Sequence, residues 1–203
     1  ILPEKVVVCH IGSGASITAV KDGKSADTTM GYSPLEGLMM ATRAGSMDVA
    51  AALAIKRELN MQSDDELEKY LNKKCGLLGV SGKSDDMREI IKGCADGDKR
   101  AELARALYVL TLRRAIGQMA ASMAGVDAIV FTATIGERSD EIRRLVAESL
   151  SYLGFNLDYG KNAKDMDERV VNIAAENSKP IYVIKTDESD EMIVRANELL
   201  SKK

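Results

Sequence analysis

The sequence has 203 residues, 45% of them hydrophobic and 29% charged, with a formal net charge of −3. That balance describes an ordinary globular chain able to bury a substantial core, and it lacks the basic excess of a nucleic-acid binder. No apolar run approaches the ~18 residues needed to span a bilayer, so neither nucleic acid nor membrane is expected as a partner. The three cysteines, Cys9, Cys75 and Cys94, are scattered, give no metal spacing or disulfide framework, and suit a reducing cytoplasm. Val6-Val7-Val8 and the residues before it are too short and wrongly flanked for a signal peptide. A start without Met is what a fragment or processed product would show.

Val6 to Val8 is a β-branched run that ends in His10-Ile-Gly-Ser-Gly14. Ser16 to Lys21 and Lys24 to Thr28 flank Asp22-Gly23, a dipeptide suited to the positive φ angles of a tight hairpin. An antiparallel meander is therefore predicted over residues 1–30. Residues 31–45, with Gly31, Pro34, Gly37 and Gly45, read as loop. Ser46 or Asp48 is the predicted cap of a helix to about Leu59, and Ser63 of another to about Lys74. Gly76 to Ser84 reads as a glycine-punctuated loop, and Asp85 or Asp86 opens a short helix to about Lys92. Asp98 begins the longest helical pattern, with Leu103, Leu107, Leu110, Ile116, Ala120 and Met123 at helical spacing and Gly125 past its end. Ala128 to Thr132 is a buried strand candidate that runs into Ala133-Thr-Ile-Gly-Glu137. Ser139 caps a helix lined by Ile142, Leu145, Val146, Leu150 and Leu153, which Gly154 stops. Val170 to Ala174 and Ile181 to Ile184 are predicted strands. A last helix, from near Asp187 or Ser189, is expected to turn Met192, Ile193, Ala196 and Leu200 inward. This order implies one α/β domain, a mixed sheet with flanking helices.

Two segments have phosphate-binding chemistry. Gly76 to Gly82-Lys83-Ser84 resembles a P-loop, but Gly76 lies one residue too far from Gly-Lys-Ser and no strand precedes it, so that reading fails. His10-Ile-Gly12-Ser13-Gly14 sits between two strands, where glycines let a backbone approach an anion. A tight turn with a structural histidine explains the same residues.

The neighbourhood is more specific. Asp27-Thr-Thr-Met-Gly-Tyr-Ser-Pro-Leu-Glu-Gly-Leu-Met-Met-Ala-Thr-Arg-Ala-Gly-Ser-Met-Asp48 resembles the acetate kinase family signature. Gly76-Leu-Leu-Gly-Val-Ser-Gly82, Ser84-Asp-Asp-Met-Arg88, Ala124-Gly-Val-Asp-Ala-Ile-Val-Phe-Thr-Ala133 and Thr186-Asp-Glu188 resemble further family blocks, in the family's order. The resemblance covers nearly all of residues 1–203 but only the second half of a typical member. It implies a ribonuclease H-like lobe of the acetate and sugar kinase, heat-shock chaperone ATPase and actin superfamily: the C-terminal, nucleotide-binding and dimerisation lobe. The implied reaction is Mg²⁺-dependent phosphoryl transfer between ATP and acetate, giving acetyl phosphate and ADP. The implied partners are a second copy of the chain and an N-terminal lobe that supplies the acyl pocket.

By the same resemblance His10 contacts phosphate, Gly12, Ser13 and Gly14 form the phosphate loop, and Arg43 stabilises the transferring phosphoryl group. Thr134, Ile135, Gly136, Glu137 and Arg138 form the adenosine block, and Glu188 serves Mg²⁺. The chemistry is consistent: phosphoryl transfer needs positioning and neutralised oxygens, which a guanidinium fork, a His donor and a metal-facing carboxylate provide. Each residue also has a plain structural reading: Arg43 as an ion-pair partner, Glu188 at a helix N-terminus, Glu137 and Arg138 as a surface pair. Met39, Met40, Met119 and Met123 are expected in the core. The chain departs from the family at Ser13 and Arg138, where Asn is usual, and at Thr134, where Gly is usual. A propionate or other short-chain acyl kinase and a non-catalytic dimerisation module are the competing readings.

Overall fold

The computed structural model describes residues 3–164 and 168–201, apart from the side chains of residues 188, 190 and 191. Six strands form one sheet in the order β3-β2-β1-β4-β6-β5. These are β1 (Lys5–Ile11), β2 (Ala15–Lys21), β3 (Lys24–Thr28), β4 (Ala128–Thr132), β5 (Val170–Asn172) and β6 (Ile181–Ile184). The predicted meander is present: β1 pairs antiparallel with β2, and β2 with β3. Asp22 and Gly23 take φ of 51° and 74°, the two positive values a tight hairpin turn needs. β4 lies parallel to β1, β6 parallel to β4, and β5 closes the edge antiparallel.

The helical block holds α1 (Val49–Glu58), α2 (Asp64–Lys73), α3 (Gly76–Ser81), α4 (Met87–Ala95) and α5 (Lys99–Ser122). Asp48, Ser63, Asp86 and Asp98 cap α1, α2, α4 and α5, each accepting a hydrogen bond from a first-turn amide. At 1.5 Å per residue α5 is about 36 Å long; it packs over β1, β2 and β3 with Ala104, Tyr108, Leu112, Ile116 and Met119 buried. Met39, Met40, Met119 and Met123 all lie in the core, as expected.

The second half alternates α6 (Ala133–Arg138), α7 (Asp140–Ala147), a 3₁₀ turn at Ser151–Leu153, α8 (Tyr159–Asn162) and α9 (Glu188–Leu200) among strands β4 to β6. Among the described residues no helix is long and apolar enough to cross a membrane.

Four expectations need correction. The segment 76–84 is not all loop. Gly76–Ser81 is α3, whose first amides find acceptors outside the helix: Leu77 N–H donates to Met40 O and Leu78 N–H to Ala41 O. The helix from Ser139 ends at Ala147 and resumes only as the 3₁₀ turn before Gly154. On α5 the spacing 103–107–110 does not mark the buried face: Leu103 is 59% and Leu110 39% exposed and Leu107 is only partly buried, while the small Ala101 and Ala104 are buried. On α9 the expected inward residues are exposed, Met192 at 64% and Leu200 at 70%. An amphipathic pattern marks a face for burial; the described residues provide no surface opposite it.

Candidate functional site

Strand alternation places the centre of the site. Val7, Cys9 and Ile11 of β1 and Ala15, Ile17 and Ala19 of β2 are buried on the core face. A period of two then puts His10 and Ser16, which are register partners, on the opposite face. Thr132 is the partner of His10 across the parallel β1–β4 pair. Cys9 is sealed on the core side, and burial pushes its thiol pKa up, so it offers no reactive thiolate.

At the end of this row a cavity of about 640 Å³ opens, within the range of small-molecule sites. His10, Gly12, Ser13 and Gly14 form one wall, and Ala133, Thr134, Glu137 and Arg138 of α6 another. Thr186, Asp187 and Ser189, at the β6–α9 junction, close a third side. Ala133 reaches this position with φ of 63°, a left-handed value unusual for a side-chain-bearing residue, so β4 turns sharply into α6. Strain of this kind persists where the surroundings hold it.

Glycines of two kinds meet here. A Cβ on Gly76 would lie 2.2 Å from Met40 O, and on Gly37 2.5 Å from Thr29 O, and both residues have positive φ. Those glycines serve the fold. Gly12 and Gly14 have no positive φ, and a Cβ there would meet its nearest atoms at 3.4 Å and 3.5 Å, ordinary contact distances. Nothing within the described protein needs them to be glycine. They leave a smooth backbone facing the cavity.

Arg43 comes from the signature loop. Met40 N–H donates to Arg43 O, forming a turn that is pinned on three sides. Ala41 N–H donates to Ser13 O, Ala44 N–H to Leu71 O and Cys75 N–H to Thr42 O. The turn delivers a half-buried guanidinium against Gly14, with Nη1 3.5 Å from the Met40 sulfur. Among the described residues no carboxylate pairs with Arg43, so the structural ion-pair explanation fails.

The adenosine block divides. Thr134, Glu137 and Arg138 line the cavity, while Ile135 packs against the core and Gly136 is buried. Glu137 and Arg138 do not form the surface pair considered above: Glu137 Oε1 instead accepts from both the N–H and the hydroxyl of Thr186, at 2.9 Å each. Glu188 opens α9, and its side chain lies outside the described residues. Asp187, Thr186 and Ser189 are wall residues that the sequence placed in a family block or at a helix start without a site role; the fold of β6 beside β4 brings them to the cavity. No cluster of three metal-ligating side chains occurs among the described residues.

The rejected P-loop is also explained. Lys83 and Ser84 N–H both donate to the buried Ser81 hydroxyl, at 3.2 Å and 3.1 Å, so these two amides already have an acceptor within the chain. Lys83 pairs with Asp98.

The mixed sheet, its flanking helices and the glycine turn at the end of β1 make this an α/β fold of the actin- and hexokinase-like ATPase superfamily. Within it the chain belongs to the acetokinase family, whose sequence profile matches residues 3–195. It is 44% identical over 185 residues to an acetate kinase of Bacteroides thetaiotaomicron, matching 91% of this chain and 46% of that protein. An acetate kinase of Clostridium botulinum matches the same shares at 48% identity. Among solved structures, the acetate kinase of Entamoeba histolytica superposes with a TM-score of 0.90 at 32% identity, over 96% of this chain and 51% of that one. A propionate kinase from Francisella tularensis gives 0.82 at 40% identity, over 90% and 46%. The chain thus spans about half the length of the relatives it matches.

Proposed function

We propose that the chain is the C-terminal, nucleotide-binding lobe of an acetate kinase and supplies the phosphate side of reversible transfer between ATP and acetate. The observation that carries this reading is the half-buried, carboxylate-free guanidinium of Arg43 beside two glycines that the protein itself does not need. A half-buried cation whose side chain has only a thioether sulfur as partner among the described residues suits an anion that arrives from outside.

In this reading the nucleotide phosphates lie along Gly12, Ser13 and Gly14, and His10 contacts them from the strand end. Arg43 presents its planar fork to the equatorial oxygens of the transferring phosphoryl group, whose charge spreads in the transition state. The adenosine lies toward Thr134, Glu137 and Arg138. Asp187 and Glu188 are the carboxylates for Mg²⁺. When bound, that ion neutralises phosphate oxygens. Acetate and the rest of the catalytic groups belong to the other half of the enzyme. The reading places two copies of the lobe in the working assembly, with the exposed Leu103 and Leu110 of α5 as available apolar surface. A propionate reading of the acid rests on the likeness to the Francisella enzyme, and paired assays of both acids on the complete protein separate the two.

Calorimetric titration of the chain with Mg²⁺-ADP, with Arg43→Ala alongside, tests this. Saturable binding is expected. Arg43→Ala should change it little while lowering phosphoryl transfer by about 10²–10⁴ in an enzyme carrying both halves. A well-folded chain that ignores Mg²⁺-ADP at millimolar concentration defeats the reading and favours a non-catalytic dimerisation module.

A further inference from the structure

Arg143 is the largest charged side chain sealed inside this lobe, at 2% exposure, and it has no ion-pair partner among the described residues. Its nitrogens donate to four neutral oxygens. Nη1 reaches Gly136 O at 3.0 Å and Glu137 O at 2.7 Å; Nε reaches Asn162 Oδ1 at 2.8 Å and Nη2 Asn162 O at 2.9 Å. Asn162 is itself buried, and its amide donates to Asp140 O. Burial lowers the guanidinium pKa to about 10, with Asp140 opposing the shift, so the group remains charged at neutral pH.

The carbonyls it holds belong to the last turn of α6. A six-residue helix cannot satisfy its final carbonyls internally, and so short a helix does not hold itself together. Filling the same space with an apolar side chain avoids the cost of desolvating a charge but leaves those carbonyls unpaired. What the arginine adds is a rigid fork that fixes two consecutive peptide groups, Gly136 and Glu137. From that fixed backbone the Glu137 carboxylate reaches across the cavity rim to the N–H and hydroxyl of Thr186. Thr186 begins the wall that carries Asp187.

We propose that Arg143 is a positioning residue for the nucleotide cavity: it clamps the end of α6 and, through Glu137, holds the β6–α9 junction in register with the glycine turn. Its relevance to nucleotide rests on the function proposed above; the clamp itself does not.

The test combines amide hydrogen exchange with binding in Arg143→Gln and Arg143→Lys. Arg143→Gln should speed exchange about tenfold or more in residues 133–139 and 185–187, leaving residues 5–21 at wild-type rates. Arg143→Lys keeps a charge but not the fork, and should show the same pattern more weakly; it stands in if the glutamine variant does not fold. Unchanged exchange in both segments, or an equal rise throughout the chain, overturns the proposal. In the binding arm, Arg143→Gln should weaken Mg²⁺-ADP about tenfold and be non-additive with Thr186→Val, since both act through Glu137. Additive losses overturn the route through Glu137. If wild type does not bind Mg²⁺-ADP, the nucleotide reading falls while the exchange pattern still decides the clamp.

Discussion

At the scale of single residues, the chain separates groups that serve the fold from groups that serve a ligand, and the two respond differently to substitution. Gly14→Ala should leave thermal stability close to wild type, since its new Cβ meets only the Arg43 guanidinium at 3.5 Å. It should nevertheless weaken Mg²⁺-ADP binding about tenfold by pushing the phosphates from the backbone, roughly 1.4 kcal/mol. Gly76→Ala should do the reverse: a Cβ 2.2 Å from Met40 O at φ of +61° forces α3 off the signature loop. Urea unfolding should show a loss of about 2–4 kcal/mol. Tyr108 gives a third case. Its hydroxyl is buried on α5 with no hydrogen-bond partner among the described residues, and burial pushes its pKa up. Tyr108→Phe should stabilise the chain by about 1 kcal/mol in the same measurement, because it removes an unpaired polar group and leaves the ring packing intact.

At the scale of elements, the long α5 helix is set by its cap. Asp98 accepts from the amides of Arg100 and Ala101 and from Lys83. The Lys83 hydrogen bond first, and the Arg100 amide next, hold its carboxyl below the ordinary aspartate range. A carboxyl that titrates lower in the folded than in the unfolded chain stabilises fully above the unfolded value, and that contribution is lost as pH falls through the folded one. The thermal midpoint should therefore drop as the pH falls below about 4. Asp98→Asn keeps a capping oxygen but loses the charge, and should flatten that part of the profile. Lys83 is mostly exposed, so the effect is small and shrinks with salt. The elements α6 and α3 make the complementary point. Both are short, and their ends are completed by groups outside them, Arg143 for α6 and the carbonyls of the 40–42 turn for α3. The α3 partners lie some 37 residues back in the chain, and Arg143, only six or seven residues on, completes α6 by turning a charged side chain into the core, which is why local pattern alone did not reveal these helices.

At the scale of the molecule, the lobe is incomplete as a catalyst in the reading proposed here. The chain spans about half the length of its relatives, and α9 exposes Met192, Ile193, Leu199 and Leu200 with nothing among the described residues to cover them. The isolated chain should produce no acetyl phosphate from Mg²⁺-ATP and acetate above the no-protein background in a hydroxamate assay. A rate near that of a complete acetate kinase would refute the division of labour between the halves.

Much of the architecture was written locally. Alternating β-branched residues, the Asp22-Gly23 turn and five side-chain caps, Ser139 of α7 among them, are short-range signals, set by φ preferences and first-turn hydrogen bonds, and they marked the meander and the starts of five helices. The cavity's glycine wall and its α6 wall were legible as motifs, because close backbone approach restricts residue choice at those positions. Tertiary structure alone decided three other matters. Strand order brings Thr186 and Asp187 beside Glu137; packing leaves Leu103 outside and Ala104 inside; and Arg143, on an amphipathic helix where arginine usually faces water, turns inward. Each depends on what lies opposite a residue in space, and a one-dimensional pattern records the face of an element without its partner.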